Sequence, residues 1–338
     1  MLMLSTVLVL VGSILLVFIA AVIFVNSIEW LGNRFRLSGS FVGAILAPLF
    51  TSFPELIVFL VALFGTKSGS GESIGIGTLF GQPFMASSLS YGLVGVVVLV
   101  SFLLKRRKDK ILAVERSLSV PYIFVTVLFP LTVVPSFFHG GASKIAFGVI
   151  FLAAFLVYGW LMFRRKNVEH EEEEVEFSYI GRLLPENPHY QVGAAITQLV
   201  VAVGLLYFGS KNMVTSVSSI SESISVSPLG LALIIVPAAT AIPETISALI
   251  WSFRGRDTLA MGSLVGEKVL FCTFYPGVGL LVTGWNLDKH AYWSVVATTI
   301  VSLMLLYFIL KGRIAWFVLL FGLISFVVYT SLVFTIHY

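Results

Sequence analysis

Apolar residues run along this chain in blocks of 20 or more, separated by short polar stretches, from one end to the other. Each block is long enough to cross a ~30 Å hydrocarbon core as a helix. Ten such segments fit the pattern, at 3–25, 38–64, 74–104, 119–138, 145–163, 191–210, 227–253, 258–284, 291–310 and 314–336. The third is long enough to tilt or to extend beyond the bilayer. The first, Met3 to Val25, is too long for a signal-peptide core and lacks a processed end, so it counts as a span. The expected fold is an all-α membrane protein with ten transmembrane helices.

Composition agrees. The chain is 58% hydrophobic and 11% charged, against about a quarter charged in a soluble domain. The distribution of Lys and Arg sets an orientation. With the N-terminus outside, 16 of these residues fall on the inner side, including the cluster Lys105–Lys110, and four on the outer: Lys67, Lys144, Lys211 and Lys289. Both termini are therefore expected outside, in the plasma or cell inner membrane. The run "EHEEEEVEF", Glu169 to Phe177, lies in the longest loop and reads as a hydrated linker.

A single cysteine, Cys272, excludes a disulfide framework and a multi-Cys metal site. The five histidines fall in loops or at span ends. Neither an H-E-x-x-H motif nor a Walker-type phosphate loop occurs. Nothing points to an enzyme, to a permanently bound cofactor or to nucleic acid. The expected partners are the lipid bilayer and inorganic cations, with the oligomeric state left open.

The chain also repeats. Ser38–Phe64 aligns without gaps with Ser227–Phe253 at an offset of 189. Pro48 meets Pro237, Thr51 meets Thr240, Pro54 meets Pro243 and Glu55 meets Glu244. In the following spans Gly77 and Gly81 match Gly262 and Gly266. Two units follow: 1–163 with its repeated motif at 38–95, and 191–338 with its copy at 227–280, joined by a charged linker at 164–190. Five spans per unit is odd, so the second copy enters the membrane from the opposite side. Such inverted repeats place a substrate near the midplane, at the repeat interface.

The matched positions are polar ones, costly at this depth. Thr51 and Thr240 fall at mid-span, with Glu55 and Glu244 one turn further on the same face. Pro54 and Pro243 remove a backbone donor and disturb the carbonyls of Phe50 and Ala239, and Pro48 and Pro237 disturb the preceding turns. Carboxylate, hydroxyl and freed carbonyl oxygens are what a hard cation requires. The ionisable groups well inside spans are Glu55, Glu244, Glu267 and Lys268. Three acids and one base leave −2, a match for a divalent ion. Ser52, Gln82 and Glu267 offer further oxygens. Lys268 reads as a coupling or charge-compensating group, paired with Glu267 and facing the site.

"FTSFPE" (Phe50–Glu55) and "ATAIPE" (Ala239–Glu244) resemble the duplicated motif of the calcium/cation antiporter superfamily, which includes the sodium/calcium exchangers. The resemblance covers nearly the whole chain. It implies secondary antiport of Ca2+ or a related cation against Na+ or H+, with Glu55 and Glu244 as central ligands and Thr51, Ser52 and Thr240 beside them. It also implies two long helices that slide against the core. The chain departs from the pattern at Ala241, Ala86 and Phe271, where oxygen ligands are missing, and the next element reads "GQP" and "GEK". The alternatives are the same fold with another cation, an anion attracted by Lys268, or a non-transporting ion sensor or degenerate exchanger.

Overall fold

The computed structural model describes residues 2–34, 49, 52–65, 69–138, 140–164, 177–185 and 187–335. Pro48, Thr51 and the acidic run up to Glu176 lie outside these, and only the backbone of Pro243 is described. The helices are α1 (Leu2–Arg34), α2 (Phe53–Leu60), α3 (Gly71–Met85), α4 (Tyr91–Leu103), α5 (Ser119–Leu131), α6 (Gly141–Arg164), α7 (Pro188–Ile224), α8 (Pro228–Thr240), α9 (Ile242–Phe253), α10 (Asp257–Cys272), α11 (Phe274–Val282), α12 (Lys289–Leu310) and α13 (Trp316–Thr335).

Among the described residues, eight helical stretches are long and apolar enough to cross a membrane. The pair α8 and α9 forms a further candidate, bent by 60°, and Phe53–Gly65 is a shorter apolar helix. Two departures from the expected elements stand out. Strands β1 (Ile111–Ala113) and β2 (Arg313–Ala315) pair antiparallel, with Leu112 opposite Ile314. The segment expected at 191–210 is a 37-residue helix, α7. Its second half, rich in Ser and Thr, is too polar to register as a membrane block. It stays helical because its apolar face packs on the core through Met213, Val214 and Val217.

The two longest helices lie along each other. Gln198 of α7 donates to the Asn26 side chain (2.9 Å) and the Ile23 carbonyl (3.0 Å) of α1. A Cβ on Gly209 of α7 would stand 2.9 Å from Val17 of α1. Higher numbers on one helix thus face lower numbers on the other, and the two are antiparallel.

Helices α3 and α8 approach as closely as backbones can. A Cβ on Gly77 would stand 2.6 Å from the Leu229 carbonyl, and one on Gly81 2.6 Å from the Leu233 carbonyl and 2.5 Å from Pro237 Cγ. Pro237 cannot donate to the carbonyl four residues before it, that of Leu233, and the glycine face of α3 covers this position. Beyond Pro83, α3 loosens into a π-helical turn at Ala86–Ser90 before continuing as α4, as helices do where a proline interrupts the bonding ladder.

At one end of the bundle, Arg107 clamps Asp257 through both oxygens (2.6 and 2.7 Å) and donates to the Ser252 carbonyl (2.8 Å). Asp257 Oδ2 also accepts from the Ala113 amide at 2.9 Å. This fork ties the ends of α4, α9, α10 and β1 together.

Gly81→Ala is expected to force α3 and α8 apart at a cost of ~1–3 kcal/mol, read as a lower thermal midpoint in detergent. Gly204→Ala, where nothing lies within 4 Å of the added carbon, should leave the midpoint unchanged or slightly raised. Equal midpoints for the two variants would disprove the close approach.

Candidate ion-binding site

The site is built on helix starts. Ser52 is the N-cap of α2, Pro54 its second residue and Glu55 its third. In the second copy Ala241 precedes α9, Pro243 is its second residue and Glu244 its third. Both prolines expected to interrupt helices stand in a first turn, where proline's missing donor costs nothing. Each carboxyl therefore sits at the positive end of a half-helix dipole, which favours negative charge, and lies against its own backbone amide.

Gln82 of α3 joins the first acid to a third. Its Nε2 donates to Glu55 Oε1 (3.1 Å) and to Glu267 Oε1 of α10 (2.8 Å), and all three side chains are buried. Glu244 lies within electrostatic reach of both other carboxyls. Thr240, at the end of α8, adjoins the Glu55 carboxyl while its hydroxyl donates to the Val236 carbonyl at 3.2 Å. Four elements (α2, α3, α9 and α10) thus deliver three acids and one amide to one buried place. Glu55 Oε2, Glu244 Oε2 and Gln82 Oε1 are buried there with no hydrogen-bond partner among the described residues. Buried acceptors are nearly always satisfied, so these three oxygens are unused ligand capacity. Among the described residues, no three His, Cys, Asp or Glu side chains stand close enough together to hold a metal. The Gln82 amide occupies the space between two of the acids.

Sequence reading missed Tyr275 of α11. Its hydroxyl donates to the Ser52 carbonyl (2.6 Å) and pairs with the Ser52 hydroxyl (2.8 Å), and its ring stacks on Phe271 with centroids 4.4 Å apart. Phe271, which looked like a lost ligand, props the tyrosine whose hydroxyl stands near Glu55 and Glu267. The available signal was a hydroxyl-bearing aromatic before a proline in mid-span, "FYPG". Ser88, Thr78 and Thr273 bond back to carbonyls of their own helices, a packing role. Ser90 instead bonds Thr245, next to Glu244, at 2.8 Å.

Lys268 does not pair with Glu267. Consecutive helical residues point to different sides, and the fully buried Lys268 donates to Ser302 of α12 at 3.1 Å. Its ammonium also lies 5.2 Å and 5.8 Å from the ring centroids of Tyr91 and Tyr122. The two tyrosine hydroxyls bond each other at 2.6 Å. The expected site-facing ion pair is therefore replaced by an aromatic and hydroxyl cage on the far side of α10.

The model of the sodium/calcium exchanger protein family matches residues 5–164 and 194–335. The chain belongs to that family. A putative antiporter, CaxA of Alkalimonas amylolytica, is 24% identical over 305 residues, spanning 89% of each chain. The crystal structure of the H+/Ca2+ exchanger CAX superposes with a TM-score of 0.71 at 15% identity, over 97% of this chain and 81% of that one. The sodium-calcium exchanger NCX_Mj does so with a TM-score of 0.59 at 17% identity, over 97% and 98%. At these identities the likeness establishes a shared polytopic helical fold. In this exchanger-family member Gln82 bonds two of the acids and Tyr275 holds the start of α2, while Lys268 is caged on the far side of α10.

Tyr275→Phe removes both hydrogen bonds to Ser52. The expected cost is ~1–3 kcal/mol, seen as a lower thermal midpoint than for Tyr179→Phe at the exposed surface. No difference between the two would show that the tyrosine hydroxyl does not hold the start of α2.

Proposed function

We propose that the protein is a secondary antiporter that exchanges Ca2+ or a related cation for H+ or Na+, alternating access to a site centred on Glu55, Glu244 and Glu267. The observation that carries this reading is the Gln82 amide, which gathers the first and third acids in a buried place where three acceptor oxygens have no partner among the described residues. A carboxylate at this depth costs ~2.5–3.5 kcal/mol to insert, and a divalent ion shared by several would offset that. Gln82 rotating its carbonyl inward would turn a donor that holds two acids apart into a ligand. Thr240, Ser52 and Thr51 complete the proposed oxygen set. The shortage of further ligands, with Ala86, Ala241 and Phe271 at the matching positions, favours H+ over Na+ as the exchanged ion.

An inverted five-plus-five arrangement, with both termini outside, is the proposed frame. It is supported by the antiparallel run of α1 on α7 and by the two acids at equivalent third positions of α2 and α9. The Lys and Arg asymmetry supports this orientation across a cell inner membrane.

Lys268, when protonated, acts in this proposal as a positive charge behind Glu267. It holds affinity down, which a transporter needs for release.

Everted vesicles carrying the protein should take up Ca2+ under an imposed H+ gradient and less under a Na+ gradient. Glu55→Gln and Glu244→Gln are each expected to reduce uptake more than about tenfold, equivalent to ~1.4 kcal/mol. No flux under either gradient refutes antiport, and full flux in both variants refutes the site. Lys268→Met should tighten half-saturation by Ca2+ about tenfold or more and slow turnover, while Lys268→Arg keeps the parent affinity. If both variants bind as the parent does, the ammonium has no electrostatic role in the site.

A further inference from the structure

Val97 of α4 and Leu249, Ile250 and Phe253 of α9 wall an open groove of about 480 Å3, with Arg254 at its end. Ile250 and Phe253 are exposed on the apolar stretch of α9. The ends of α4 and α9 meet at this level, held by the Arg107 contact to Ser252 at 2.8 Å. Around them the segments 105–110 and 254–257 carry seven basic residues against two acidic ones, and Arg107 already neutralises Asp257. An occupant must therefore be apolar along most of its length and anionic where the groove reaches Arg254. We propose that this groove binds an anionic phospholipid, with an acyl chain against Val97, Ile250 and Phe253 and the phosphate on the Arg254 guanidinium. Basic pockets at the membrane edge between helices hold anionic headgroups by this logic, and Arg suits phosphate through its planar fork of donors.

The position gives the lipid leverage. Arg254 follows the last residue of α9 and Glu244 is its third, about 15 Å apart along the helix. The bent junction at Ala241 joins α9 to α8, so a lipid bound at one end of the half-helix bears on the acid at the other. That consequence rests on the proposed ion site; lipid binding does not, and it is tested alone.

The full chain, purified in detergent, is titrated with dioleoyl-phosphatidylglycerol and, in parallel, dioleoyl-phosphatidylcholine, and retained lipid is counted by native mass spectrometry. Phosphatidylglycerol is expected to be retained and phosphatidylcholine lost. Arg254→Gln should weaken phosphatidylglycerol retention about fivefold, the worth of one arginine at an anionic surface. Arg254→Lys should keep most of it. Ile250→Trp, which fills the groove with the arginine intact, should lower retention too. Arg313→Gln, outside the groove, should change nothing. Equal retention of the two lipids, or unchanged retention in both Arg254→Gln and Ile250→Trp, would overturn the proposal. Displacement of the lipid by millimolar inorganic phosphate would overturn it in favour of a bare anion site.

Discussion

The Gln82 amide touching two carboxyls is the contact on which the interior of this protein turns. Acids at hydrocarbon depth have no water to solvate them, so each must be brought to a donor, a dipole or an ion. Glu55 and Glu244 are placed at the starts of half-helices, where backbone amides and the helix dipole face them. Glu267 has no such start and sits mid-helix in α10. Gln82 compensates by donating to Glu267 and, with the same nitrogen, to Glu55. Take this amide away and two acids on different helices face each other with nothing between them.

That contact requires α3 to run deep into the bundle, and the glycines explain how it does. Gly77 and Gly81 let α3 lie directly on the backbone of α8, and Gln82 follows the second glycine immediately. The same approach covers the carbonyl stretch that Pro237 leaves without an internal donor. Helix breakage, normally a liability in lipid, is confined to places where another helix closes over it. Packing and site chemistry are therefore one problem: any side chain at Gly81 moves the amide as well as the helix.

Much of the architecture was legible in the chain because it is written in hydropathy and in a repeat of expensive residues. Apolar blocks mark the spans, and the matched Pro and Glu mark the start of α2 and the break between α8 and α9. The rest was hidden for physical reasons. The second half of α7 is helical through tertiary packing although its serines hide it from any hydropathy window. The first-turn placement of Pro54 and Pro243 cannot be told from a kink without knowing where the helix begins. Tyr275 reaches Ser52 across more than two hundred residues of chain, and no local pattern encodes such a contact. Adjacency misled at Lys268, since a neighbour in sequence is a neighbour on a helix only at three or four residues.

The caged lysine follows from the same economy of charge. Were the ammonium beside Glu267, it would neutralise that acid by contact and compete directly with any incoming cation. Turned to Ser302, Tyr91 and Tyr122, it is stabilised by a hydroxyl and two ring faces and exerts its field through the body of α10. A field cannot be displaced by an ion, whereas a contact can. The arrangement therefore leaves the carboxyl oxygens open. On the proposed reading, a resident cation of this kind sets a ceiling on how tightly any transported one is held.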